Sequence, residues 1–217
     1  MLSRLTQRLT RGSGELREAA AAAGELGPRA VSLVPALRAA LGGPDGGTTT
    51  PDLDADTAVA EALWRIGQDP GPVVAALDSV FVRAAQNPWG RWAGVRAARA
   101  AALLGPAGRP LTPRLHPLLG DPEQVPAAAL ALVAVADPAS LDRTALAEAV
   151  LDAARREADP MGALRALEAL GAGALSPAHR RSLAALADGD ARVVRSGVED
   201  RIIRGDETFR NRARALL

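Results

Sequence analysis

The sequence predicts an all-α protein made of about five to six stacked antiparallel helical hairpins, an arrangement known as an α-solenoid. Apolar residues recur at helical spacing along most of the 217 residues, as at Val31, Val34, Leu37 and Leu41. The helix-like runs end at turns 32 to 40 residues apart, namely Gly27, Gly67, Gly105, Asp137 and Gly171. Several turns are followed by proline, which the first turn of a helix tolerates. A regular period of this length indicates a repeated unit that buries its apolar face only by stacking on its neighbours.

The elements follow in order along the chain. A first helix within 1–11 places Leu2, Leu5 and Leu9 on one face, and we expect it to cover the first hairpin as an N-terminal cap. On this reading Arg4, Arg8 and Arg11 face water. The alternative is a basic amphipathic helix on a membrane surface, which at under three turns would bind weakly. The hairpins that follow are predicted at about 14–41, 54–85, 90–119, 123–156 and 159–187, with a terminal hairpin at 190–217.

The breaks between these hairpins are short except at 42–52, which reads GGPDGGTTTPD. A Gly- and Thr-rich stretch of this kind is typical of a flexible loop, and a linker between two domains is the alternative. Helical periodicity resumes at once from Ala55 to Ile66. We therefore expect one domain over 1–217.

The composition excludes several kinds of chemistry. All 26 basic residues are arginine and there is no cysteine, so a Walker-type phosphate loop, a Schiff base, a thiol nucleophile and a cysteine-ligated metal are all excluded. No serine lies in a G-x-S-x-G motif. We therefore expect a non-enzymatic protein with no cofactor. The longest uncharged stretch, Gln124 to Ala136, is shorter than a membrane helix, and with no leader-like apolar segment the expected location is the cytoplasm.

The segment from Trp92 to Glu123 resembles a HEAT repeat. It has a Val-Arg pair at Val95 early in the first helix, closely spaced alanines, Leu-Gly at Leu104, proline near the second helix and an Asp-Pro turn at Asp121. The segments 19–41 and 190–202 are similar. An armadillo-like repeat is the nearest alternative. The resemblance implies a right-handed α-solenoid, a scaffold or adaptor role, and a partner protein held on the concave face by the second helices.

Enzymes are also found among HEAT-like proteins, and their residues can be looked for. An iron site of the deoxyhypusine hydroxylase type needs repeated His-Glu pairs, whereas His116 and His179 lie far apart with no adjoining glutamate. We expect both histidines to be solvated or packed. A DNA-glycosylase-like or other nucleic-acid-binding protein is the alternative function, with Trp89 and Trp92 beside Arg91 and Arg96 as its best counterpart.

The three tryptophans belong to a chain with only five aromatic residues. Trp64 is expected to fill the seam between the first and second hairpins. Trp92 precedes Arg96 by four residues, a spacing that favours a cation–π contact on a helix. Packing within the repeat is the first interpretation for Trp89 and Trp92. An exposed anchor for a partner protein is the second, because tryptophan and arginine are frequent at binding hot spots.

The residues assigned to second helices carry a net positive charge, while the rest of the chain is net negative. This predicts a mildly basic inner ridge that binds an acidic or phosphorylated protein segment. The candidate partner-binding residues are Arg109, Arg114, Arg180, Arg181, Trp92 and Arg96. No metal site and no membrane contact is expected.

At the C-terminal end, Leu216 and Leu217 are expected to pack inward while five arginines of 201–214 face water. The protein is then a monomer, and an apolar outer face would instead give a weak end-to-end dimer.

Overall fold

The computed structural model describes residues 2–10, 12–195 and 199–217. Within these ranges the regular structure is entirely helical, with no β-strand, which confirms the all-α prediction. The chain divides into two compact units, the first ending at Arg114 and the second beginning at Leu115. The single domain expected over 1–217 stays a prediction.

The described residues of the first unit form six α-helices. They are α1 (Leu2–Arg8), α2 (Ser13–Leu26), α3 (Val34–Ala39), α4 (Thr50–Gly67), α5 (Pro70–Ala85) and α6 (Arg91–Leu103). A four-residue helix, α7 (Thr112–Leu115), spans the boundary between the units in the sequence. The second predicted pair, α4 and α5, consists of two long uninterrupted helices.

Proline breaks the second arm of the neighbouring pairs. Residues Gly27–Leu33 and Gly105–Leu111 are 3₁₀ helix instead of α-helix. Proline at 28 and 35 in one arm, and at 106, 110, 113 and 117 in the other, removes the N–H donors that a continuous α-helix needs. The arms predicted there as regular helices are therefore short helical pieces.

Helix α4 is the centre of the first unit, because α2, α5 and α6 all pack against it. Small side chains make this close packing possible. The Cα of Ala62 lies only 3.3 Å from where a Cβ on Gly24 would stand, and Ala19, Ala20 and Ala23 have no exposed surface. An Ala-rich core thus brings the helix axes close together.

Helix α1 packs on α2. Leu5 of α1 and Leu9, just after its end, are both buried, and Leu2 is half-buried. Arg4 is exposed as expected, whereas the Arg8 guanidinium donates to Glu18 at 2.6 Å. Arg11 lies outside the described residues. The Arg8 side chain is 39% exposed, so this ion pair lies at the surface.

The described residues of the second unit form α8 (Val125–Val135), α9 (Arg143–Arg155), α10 (Pro160–Leu170), α11 (Pro177–Asp188) and α12 (Glu199–Ala215). Short 3₁₀ segments lie at His116–Gly120, Pro138–Ser140 and Ala172–Ala174. Helix α10 packs against α8, α9 and α12, and α11 pairs with α12.

The terminal hairpin predicted at 190–217 differs from the structure. Residues 190–195 are not helical, and α12 is one continuous helix. The reason is Asp206, whose buried carboxylate accepts the N–H groups of Val193 (2.7 Å) and Val194 (3.2 Å). Arg210 donates to the same carboxylate and to the carbonyls of residues 187, 189 and 191. These bonds hold the non-helical segment against the side of α12.

The C-terminal leucines also differ from the expectation, since Leu216 is half-buried and Leu217 is 41% exposed. Phe209 and Ala213 provide the buried face of α12 instead. Three of the five arginines are engaged within the unit: Arg210 pairs with Asp206, Arg212 with Glu168 and Arg214 with Asp188. Across the described residues, no helix combines the length and hydropathy that crossing a membrane requires.

Candidate functional site

Helix α5 carries two apolar faces. One face is buried in the first unit and is formed by Val73, Leu77, Val80, Phe81 and Ala84. The other is partly open to solvent and is formed by Gly71, Val74, Ala75 and Val82. A helix with one partnered side normally turns polar residues outward, so the second face of α5 marks a place where another surface can pack.

This second face forms the floor of a groove of about 470 Å³. Pro44 and Pro110 contribute from the segments that precede α4 and follow α6, and the lining also includes Asp78 and Ser79 of α5. A mostly apolar lining with a few polar groups, in a cavity of this size, is typical of binding pockets in proteins.

The Pro44 side of the groove is held in place by α5 and the turn after it. The Ser79 hydroxyl donates to the Gly43 carbonyl at 2.8 Å, and the Asn87 amide donates to the Thr48 carbonyl at 2.7 Å. The loop predicted at 42–52 is non-helical as far as Thr49, and α4 begins at Thr50. The prediction of a flexible loop missed these anchors, because the residues that supply them are far away in the sequence.

A buried ion pair provides the strongest anchor. Arg83 is 2% exposed and Asp56 is 4% exposed, and their charged groups are in direct contact. Arg83 also donates to the Gly47 carbonyl at 2.7 Å, and Asp56 accepts the Gly42 N–H at 3.0 Å. Charged groups are rarely buried unless they are paired in this way. The pair therefore joins α4, α5 and the loop into one rigid wall.

The glycines of this loop are required by the same contacts. A Cβ on Gly46 would lie 2.5 Å from Nη1 of Arg83 and 2.7 Å from the Gly42 carbonyl oxygen. Gly43 has φ +61°, a left-handed conformation that favours glycine. The Gly-rich composition thus allows the backbone to approach the buried guanidinium closely.

The polar edge of the groove is an ion pair between Asp78 and Arg114. Arg114 Nε donates to Asp78 Oδ1 at 2.7 Å, and Nη2 donates to Oδ2 at 3.1 Å. The hydrogen bonds and charge of Asp78 raise the pKa of Arg114 above its usual value. Both oxygens of Asp78 are thereby occupied, and the groove edge carries a neutral pair.

The structure places the four predicted ridge arginines in different settings. Arg109 is exposed in the 3₁₀ segment beside Pro110, and Arg114 is paired with Asp78. In the second unit, Arg181 is exposed, while Arg180 donates to the carbonyls of Ala172 and Leu217 at 3.0 and 2.9 Å. Arg180 thus has a structural role, and within the first unit Arg109 and Arg114 lie close in sequence to the groove.

Trp92 and Arg96 are not in the predicted cation–π contact. The guanidinium over the Trp92 ring is that of Arg91, 5.6 Å from the ring centroid. Arg96 Nε instead donates to Asp54 of α4 at 2.5 Å. The carboxylate competes successfully for Arg96 because a charge-assisted hydrogen bond is stronger than an exposed cation–π contact.

Trp89 and Trp92 are exposed, by 77% and 47% respectively. They flank Gly90, which has no room for a Cβ because the Ala84 carbonyl lies against it. The Asn87 side chain accepts the Trp89 N–H at 2.9 Å and fixes the turn. Trp64, expected in the seam between the first two hairpins, donates its indole N–H to the Leu103 carbonyl of α6 at 3.0 Å.

Of the two histidines, one is solvated and the other is packed. His116 is exposed. His179 is buried, its Nε2 lies 2.9 Å from a Glu148 oxygen, and its ring and the Ser176 hydroxyl form a capping box at the start of α11. Among the residues with described positions, no group of three His, Cys, Asp or Glu is arranged to hold a metal ion.

The groove itself was missed by the sequence reasoning, which counted only the charges of α5. The signal was present in the run PGPVVAALDSVFVRAA, where Val74 and Val82 fall outside the stripe of Val73, Leu77 and Val80. Apolar residues on both sides of a helix indicate burial on both sides. Pro44 and Pro110 lie far from α5 in the sequence and had no local signal.

Comparisons with protein-family models, with curated proteins and with solved structures found no match to this chain.

Proposed function

We propose that the protein is a non-catalytic interaction scaffold, made of HEAT-like hairpins stacked as a right-handed α-solenoid, that binds a partner protein through its second helices. The observation that supports this function is the second apolar face of α5. Helix α5 is the second helix of its pair, and its solvent-accessible Val74, Ala75 and Val82 lie in a walled groove.

The groove is built before any partner arrives. Its wall is fixed by the buried Arg83–Asp56 pair and by the bond from Ser79 to the Gly43 carbonyl. A surface that is already ordered loses less conformational entropy when a partner binds. This rigidity supports a binding role, since an apolar groove that closed on itself in isolation would offer no site.

Charge is not the basis of this proposal. The basic ridge predicted from the sequence includes Arg38 and Arg114, which pair with Asp69 and Asp78, and Arg83, which is buried. A guanidinium already bound by a carboxylate has less to offer an acidic or phosphorylated segment. We therefore assign the partner site to the apolar floor of the groove and place Arg114, paired with Asp78, at its edge.

The function is tested by comparing capture of cellular proteins on three forms of the purified chain. Ala75→Glu puts a charge on the floor of the groove, at a position that is already exposed. Ala85→Glu is the matched control, because it makes the same substitution on the same helix at an exposed position outside the groove. Isotope labelling quantifies the proteins retained from lysate with and without nuclease treatment.

The expected result is a protein retained by the wild type and by Ala85→Glu and lost with Ala75→Glu, which then binds the purified chain in calorimetry. Equal retention by all three forms would remove the groove as the partner site. Retention that disappears on nuclease treatment would instead support the nucleic-acid-binding alternative.

A further inference from the structure

We infer that the occupant of the α5 groove is an amphipathic α-helix of the partner protein, lying with an uncharged apolar face on Val74, Ala75 and Val82. This inference rests on the proposed function and adds the chemical class of the partner segment. It is carried by the spacing of the groove floor, the neutrality of its edge and the composition of its lining.

The spacing of the floor matches helix packing. The α5 residues in the groove fall in two lines four residues apart, Gly71–Ala75–Ser79 and Val74–Asp78–Val82. The first line has small side chains and the second has larger ones, so a furrow lies beside a ridge. Helices pack by placing the ridge of one into the furrow of the other. From Gly71 to Val82 the floor is roughly 16 Å long, which corresponds to about three helical turns.

The charges at the groove are complementary to an uncharged occupant. Asp78 is neutralised by Arg114 at the edge, and Asp69, which caps the start of α5, pairs with Arg38 at 2.8 Å. A charge on the partner that lay against the floor would lose its water without gaining a free counter-ion. Apolar side chains carry no such penalty, and charged residues belong on the outer face of the bound helix.

Other modes of peptide recognition lack their requirements here. Polyproline segments bind grooves lined by aromatic rings, and the residues that line this groove include none. Addition of a β-strand needs a sheet edge, and the described part of the chain has no strand. Phosphopeptide recognition needs uncommitted arginines, whereas the guanidinium at the edge, Arg114, holds Asp78 with two hydrogen bonds.

The inference is tested by selection from a phage-displayed library of random 16-residue peptides on the immobilised full chain. Phage that bind the Ala75→Glu form are removed first, so the surviving peptides depend on the groove. We expect enriched sequences with apolar residues at spacings of three and four and no charge on that face. A synthetic enriched peptide should gain helical circular dichroism on binding. Its affinity should fall tenfold or more with Ala75→Glu and stay unchanged with Ala85→Glu.

Two results would overturn the helical occupant, and a separate experiment decides what happens to the proposed function. One is enrichment of proline-rich, alternating or acidic sequences, and the other is no peptide that distinguishes the wild type from Ala75→Glu. If Ala75→Glu still abolishes capture of the cellular partner, the groove remains the binding site and only its occupant was wrong. If capture also survives Ala75→Glu, the inference and the assigned site both fall.

Discussion

Replacing Asp56 with alanine is the perturbation that tests the groove wall most directly. Asp56→Ala removes the carboxylate that contacts Arg83 and leaves the guanidinium buried, with the Gly47 carbonyl as an acceptor at 2.7 Å. The Nε of Arg83 has no hydrogen-bond partner among the described residues even in the intact pair. Removing one member of a buried ion pair costs about 3–5 kcal/mol, because the remaining charge is left uncompensated. We expect the first unit to lose this much of its free energy of unfolding.

A double substitution separates the stranded charge from the loss of the loop contacts. Asp56→Leu with Arg83→Met leaves no buried charge, and a buried ion pair exchanged for apolar side chains often changes stability little. The loop still loses its bonds at the Gly42 N–H and the Gly47 carbonyl. At about 1 kcal/mol each, this predicts a loss of about 2 kcal/mol. The double variant should therefore be more stable than Asp56→Ala alone.

The measurement is denaturant unfolding followed by tryptophan fluorescence. Trp64, Trp89 and Trp92 all belong to the first unit, so this signal reports the unit that contains the substitution. Circular dichroism then follows both units together. Arg38→Ala is the control, because its ion pair with Asp69 is about half exposed and should contribute less than about 1 kcal/mol. An Asp56→Ala loss below about 1 kcal/mol, or a double variant less stable than Asp56→Ala, would refute the reasoning about the stranded charge.

Three further outcomes are expected. Burial raises the pKa of Asp206, but the hydrogen bonds from Arg210, Val194 and Val193 outweigh this effect and leave the pKa lowered. The ionised carboxylate therefore stabilises the fold above the unfolded pKa of 3.8, and this stabilisation is lost as the pH falls through the folded pKa. Asp206→Asn should thus destabilise the protein by about 1–3 kcal/mol at pH 7. Thermal melts from about pH 7 to pH 3 should show that its stability depends less on pH on the acid side. A pH dependence identical to that of the wild type would remove this role. Burial raises the pKa of Glu61, so its ionised form opposes folding. Glu61→Gln should therefore raise the melting temperature at pH 7, with a gain that shrinks as the pH falls towards 4.5. A gain that grows on acidification would contradict this reasoning. Gly90→Ala should destabilise the first unit by about 1–3 kcal/mol, because the added methyl group meets the Ala84 carbonyl. Unfolding detected by fluorescence that is unchanged from the wild type would contradict the tight turn at Gly90.

Much of the helical architecture was predictable because its signals are local. The turns after α2, α4, α6 and α10 lie at glycines that the sequence marks. Several of the predicted helix starts have a proline at or just after the first residue. The proline-rich second arms were harder, because the same residues that mark a helix start also break a helix when they recur every few positions. At 190–217 a hairpin was predicted, whereas Glu199–Ala215 is one continuous helix and the buried Asp206 carboxylate binds the N–H groups of the non-helical Val193 and Val194.

The candidate site was less predictable, because it depends on contacts between residues far apart in the chain. Charge counting assumed that each arginine of a second helix stays available to a partner. Arg83 pairs with a residue 27 positions away and Arg114 with one 36 positions away. No local pattern in the sequence encodes such pairs. An arginine paired in this way stabilises the fold and is not available to a partner.

The pairing of these arginines also explains why the edge of the groove carries little net charge. In a chain whose only strong bases are arginines, a carboxylate near a helix surface can meet a guanidinium that binds both of its oxygens. The surface charges then cancel locally, as between Arg114 and Asp78, and leave little net charge to steer a partner. What distinguishes one part of the surface from another is the apolar area that remains uncovered. On the first unit, the exposed rings of Trp89 and Trp92 provide part of that area, and Val74, Ala75 and Val82 provide the part that lies beside a wall held by a buried ion pair. Shape and hydrophobicity, more than charge, therefore set the specificity of the proposed site.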